Sequence, residues 1–146
     1  MDNNVIISIK GLQSYNDMED QEIELVTEGK LIRGDKGFQL LYEESPLTGL
    51  EGTLTTFDVT EGSITLTRTG PLTSQMVFEE GKKHYSMYST EYGSFTVGIA
   101  AARVEHSLND KGGEIAIDYS IEVDHALTGS NSFRINIKNT DNNLKS

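Results

Sequence analysis

The chain has 146 residues, 12 Lys plus Arg against 23 Asp plus Glu, a formal net charge of −11 and no cysteine. So acidic a surface, without a Lys/Arg stripe, repels phosphate backbones and anionic headgroups, and neither nucleic acid nor membrane is an expected partner. Disulfides, thiolate metal ligands and thiol catalysis are excluded with the cysteines.

The length fits a single domain, 1–146, able to bury about 70% of the surface its unfolded chain exposes. Met1–Gln13 lacks the basic and apolar regions of a secretory signal, and no apolar run reaches membrane-helix length. The expected location is therefore cytoplasmic.

Val5, Ile7 and Ile9 alternate with polar residues, which predicts a strand over 4–13, followed by an acidic connector from Asn16 to Asp20. A second strand is expected over 21–33, with Gly29 marking a bulge or bend. After a hairpin loop at Gly34–Gly37, Phe38, Leu40, Tyr42 and Glu44 share one face of the next strand. A turn at Ser45–Gly49 leads to a threonine-rich strand over 51–60, and Glu61-Gly62 turns into Ser63–Thr69. In that strand Ile64, Leu66 and Arg68 lie on one face. Gly70-Pro71 ends it, and Gln75–Glu79 form a short strand.

Beyond the Gly81-Lys82 turn, Lys83–Thr90 sets His84, Ser86, Tyr88 and Thr90 against Tyr85, Met87 and Ser89. Residues 94–108 alternate again, although Ala100–Ala102 would also suit a short helix. Asn109–Gly113 is the strongest turn, and Ile115–Val123 the cleanest alternation. A loop is expected at Thr128–Asn131, a strand over Phe133–Lys138, and a frayed tail over 139–146. About ten strands joined by short turns predict an antiparallel meander. Closure into a barrel removes its two edges, and a two-sheet sandwich is the alternative.

YEES at 42–45, TG at 48–49, GTLTT at 52–56, RTG at 68–70, QMVF at 75–78, GKKH at 81–84, YSTEYG at 88–93 and GGEIAIDY at 112–119 occur in order. This series resembles the YwiB-like family of small bacterial proteins. The departures are Glu91 where proline is expected and Ala101-Ala102 where threonine is common. The resemblance implies a calycin (lipocalin-like) β-barrel of about 8–10 strands and, by fold analogy, ligand binding. It supplies neither catalytic residues nor a cofactor.

An inward Arg68 is costly unless paired, and Glu44 on the Tyr42 face is the natural partner. These residues, joined by His84 and Tyr88, define an expected polar anchor inside the barrel for a small ligand, with an anion on Arg68. The same pair also reads as a self-satisfied structural contact at a barrel end. A different reading is an interaction module with a filled barrel and a homodimer interface built on Tyr85, Met87 and Tyr92. A third is a weak hydrolase or isomerase, with His84 as base and Tyr88 as proton donor. The three histidines, His84, His106 and His125, have no metal-ligand spacing, and Asp17–Glu24 lacks the glycine-centred loop of a calcium site. An open cavity beside Arg68 would mark a ligand carrier; a packed interior would mark an interaction module.

Overall fold

A computed structural model describes residues 2–15, 21–44, 52–70, 73–90, 93–109 and 111–140, with backbone alone at 2–3, 15 and 87–90. The predicted connector at 16–20, the turn at 45–49 and the tail beyond Thr140 lie outside the described residues. Ten strands follow one another: β1 (Asp2–Tyr15), β2 (Gln21–Arg33), β3 (Gly37–Glu43), β4 (Leu54–Thr60), β5 (Ile64–Thr69), β6 (Ser74–Phe78), β7 (Lys83–Thr90), β8 (Gly93–Asn109), β9 (Gly112–Val123) and β10 (Ala126–Asn139). All belong to one antiparallel sheet in the order β6-β5-β4-β3-β2-β1-β10-β9-β8-β7. A single sheet replaces the sandwich alternative.

Pairing of β1 with β10, from Val5 opposite Asn139 to Tyr15 opposite Gly129, joins the two ends of the chain at the middle of the sheet. The sheet then rolls round until β6 and β7 approach, so the barrel is nearly closed and its seam falls in mid-chain. Bonds at one end of β6 bridge that seam. Gly81 N donates to Ala101 O at 2.9 Å, and Val104 N donates to the Glu80 carboxylate at 3.1 Å. His106 Nε2 lies 3.0 Å from Thr60 O and ties β8 to the end of β4.

Alternation has the consequence expected of it. The register aligns Ile9, Ile135 and Ile115 across β1, β10 and β9, and Leu40, Phe57, Leu66 and Met76 across β3 to β6. Each such row lies on one face of the sheet, and that face turns inward. Val5, Ile7, Leu40, Ile64, Phe78 and Ile117 have no exposed surface at all. A hollow wide enough for water at their level would leave some of that surface accessible, so the barrel is filled there. Phe78 and Tyr119 meet inside with ring centroids 4.8 Å apart.

Four local expectations change. β2 runs unbroken through Gly29, where a Cβ would lie 2.3 Å from Leu41 O and 2.6 Å from Ile7 Cδ1; glycine is there because β3 approaches closely. Ala100–Ala102 is strand, with a register shift between Ala101 and Arg103. The extra residue switches parity, so Val97, Ile99 and Ala101 face inward before it and Val104, opposite buried Ile117, after it. Thr128–Asn131 lies within β10. The real turn is Asp124-His125, with Val123 opposite Ala126 and left-handed φ values of 50° and 70°. At the chain's end, Asn139 N donates to Lys111 O at 2.9 Å and Thr140 Oγ1 to Asn4 O at 3.0 Å, so both are tied to the sheet.

Candidate functional site

β3, β4 and β5 bring the expected polar residues together. The register sets Thr55 opposite both Tyr42 and Arg68, and β3 leads directly into Glu44, whose N donates to Thr53 O at 2.9 Å. Four polar side chains thus sit on the inward face just beyond the apolar rows of Leu40, Phe57 and Leu66. The Glu44 side chain is 2% exposed and that of Arg68 26%. Thr55 Oγ1 donates to Glu44 Oε2 at 2.5 Å, a short bond of the charge-assisted kind. Arg68 Nε stands 3.8 Å from the same oxygen, near enough for ion pairing but beyond hydrogen-bond reach. This Nε is buried and has no hydrogen-bond partner among the described residues. Burial above all, then the neighbouring Glu44, pushes the Tyr42 phenol far above its ordinary value, with Arg68 opposing.

Thr55 is the member that the sequence reading passed over. Its signal was present, since Thr55, Phe57 and Val59 share a face by the same parity that selected Arg68.

His84 does not join this corner. It pairs with buried Ile99 in the β7–β8 register, which places its strand face inward, but its ring nitrogen lies 3.0 Å from Glu79 Oε1 across the seam. Arg68 is opposite Ser74 at the other end of β6, and the strand between spans roughly 16 Å at about 3.3 Å per residue. Glu79 also binds Lys82 at 3.1 Å. Lys82 first, then His84, holds the Glu79 carboxyl below its usual range. The backbone of Tyr88 pairs with Phe95, while its side chain lies outside the described residues.

Tyr85 from the expected interface patch is 54% exposed. It covers Gly98, where a Cβ would lie 3.0 Å from the ring, and its centroid is 5.9 Å from that of His125. The side chains of Met87 and Tyr92 lie outside the described residues. No cluster of three or more His, Asp or Glu among the described residues is placed to hold a metal ion. No helix among them is long and apolar enough to cross a membrane.

Fold and site together define an all-β protein of ten strands, with a packed interior and one charged corner at the barrel rim. The chain belongs to the DUF1934 family, a domain of unknown function, whose model matches residues 7–135. Its fold is similar to the crystal structure of the YwiB protein from Bacillus subtilis, with a TM-score of 0.82 and 20% identity over 94% of this chain and 92% of that one. The YwiB-like resemblance carried by the ordered motifs is therefore borne out. A comparison with curated proteins returns no match.

Proposed function

We propose that this protein is an interaction module built on a filled barrel, and not a carrier that encloses its ligand. The observation that carries this reading is the absence of exposed surface on Ile7, Leu40, Ile64, Phe78 and Ile117, which leaves no room at their level for an amphipathic guest. Large apolar side chains stand outside instead, with Val26 at 69% and Leu127 at 58% exposure. The absence of cysteine supports a cytoplasmic setting.

Native mass spectrometry of protein purified from its own host tests the reading. The expected result is a mass accounted for by polypeptide alone. A stoichiometric small molecule, released on denaturation and buried in the barrel, would overturn it.

A second reading, an anion held at the rim, is favoured by the orphaned Arg68 Nε. A carboxylate or phosphate oxygen would supply the acceptor that Glu44 does not reach. Titration of acetate or inorganic phosphate should then shift the Arg68 Nε–H resonance at millimolar concentration. Accompanying shifts of the Thr53 and Thr55 backbone amides should vanish in Arg68→Leu combined with Glu44→Gln, which removes both charges together. An unmoved resonance eliminates this reading.

A further inference from the structure

We propose that the unpaired edge of β2, Gln21 to Glu28, docks an extended segment of another protein in which basic and apolar residues alternate. The proposal deepens the interaction reading and rests on it. β2 is paired with β1 along almost its whole length, but with β3 only from Lys30 to Arg33. Among the described residues, β3 still lies against Gly29, but the other edge of Gln21–Glu28 has no strand paired with it. Strand backbones left in this state are templates for a further strand. Ile23 is 46% and Val26 69% exposed, while Leu25 and Thr27 are half-buried.

Side-chain chemistry selects the occupant. Glu22, Glu24, Val26 and Glu28 share one face of the strand, and Ile23, Leu25 and Thr27 the other. On the paired side, Lys10 of β1 lies opposite Glu24 and reaches Glu22 at 3.0 Å and Glu24 at 3.7 Å. β1 thus displays the chemistry that the glutamate face accepts from a neighbouring strand. A segment on the free side would meet that face with Lys or Arg at alternate positions and set apolar residues beside Ile23 and Leu25.

A second copy of the chain fits poorly. Apart from overlaps confined to one end of the stretch, antiparallel self-pairing that keeps the two glutamate faces on the same side sets glutamate directly opposite glutamate, as Glu22 against Glu28 or Glu24 against Glu24. The alternative registers set the glutamate face against that of Ile23, Leu25 and Thr27. Where β3 diverges, a cleft of about 490 Å³ lined by Thr27–Lys30, Leu41–Glu44 and Leu54 gives room for a side chain at the end of the docked segment.

The probe is a short fluorescein-labelled peptide alternating lysine and valine, followed by anisotropy at low salt and by hydrogen exchange. The expected result is binding with new protection confined to the amides of residues 21–28. Glu22→Lys, Glu24→Lys and Glu28→Lys together should weaken binding about tenfold or more and admit the corresponding glutamate–valine peptide instead. N-methylation at alternate peptide positions, which removes strand pairing but keeps charge, should abolish binding.

No binding, protection elsewhere, or equal binding of the N-methylated peptide would overturn the proposal. So would amides 21–28 already as protected in the free protein as those of the β1–β10 ladder, or a dimer that the charge reversal dissolves. Such a failure leaves the filled-barrel reading standing, because native mass spectrometry tests that separately.

Discussion

At the scale of single residues, the rim corner is governed by where a carboxylate finds its donors. Glu44 is almost wholly buried, and a carboxylate in that position costs several kcal/mol unless it is hydrogen-bonded. Thr55, itself fully buried, supplies a short bond, whereas Arg68 supplies charge from 3.8 Å. Thr55→Val keeps the shape and removes the donor, leaving the carboxylate oxygen unmatched. We expect a loss of about 1–3 kcal/mol in urea denaturation, with Thr55→Ser closer to the parent. An effect within experimental error for Thr55→Val would show that Arg68 alone satisfies Glu44.

The pairing of Arg68 with Glu44 was legible because strand parity is a strict period of two, and both residues stood on apolar faces. For His84 neither the orientation nor the distance was legible. His84, Ser86 and Tyr88 oppose Tyr85, Met87 and Ser89, so neither face of that strand is marked as apolar, and only the pairing with buried Ile99 turns it inward. Parity tells which face a side chain takes and nothing of its level along the barrel axis, which depends on cross-strand register.

Elements report the same division between what alternation encodes and what it leaves open. β2 and β7 have the bounds read from the sequence, since polar–apolar alternation persists to their ends. The β9–β10 turn was missed because Asp-His is a weak turn signal, while Thr-Gly-Ser-Asn four residues later is a strong one. Backbone geometry overrides that composition. The two left-handed residues twist in the sense of the flanking strands, and the predicted loop is absorbed into β10 with a register shift between Leu127 and Gly129.

A non-glycine residue at His125, φ 70°, is held in a conformation that costs roughly 1 kcal/mol. His125→Gly should therefore stabilise the protein by about 0.5–1 kcal/mol, read as a raised denaturation midpoint. A lowered midpoint would mean that the ring contact with Tyr85 outweighs the backbone strain.

For the whole molecule, the decisive feature is that closure is uneven. The β1–β10 pairing is a long ladder, whereas among the described residues the bonds seen at the β6–β7 seam gather around Glu79, Glu80 and Gly81. Glu79 links Lys82 and His84 at this place, and its carboxyl is held below the usual range, first by Lys82. Glu22 beside Lys10, Glu105 beside Arg103 and Asp118 beside Arg134 are lowered in the same way.

A folded-state value below the unfolded one means that the ionised group stabilises the fold. That contribution is present above the ordinary carboxylate range and lost as pH falls through the lowered values. Protonation also relieves the repulsion of a chain with net charge −11, so acidification should do little harm until the pairs themselves titrate. Below that point the barrel should open first at its seam. Hydrogen exchange under acid conditions should show the amides of Gly81 and Lys82 losing protection while those of β1 and β10 keep theirs. Glu79→Gln should produce the same local opening already at neutral pH and reduce its further dependence on acid. If protection is instead lost together across the sheet, or if the β1–β10 ladder opens first, the seam is not the weak line of the barrel.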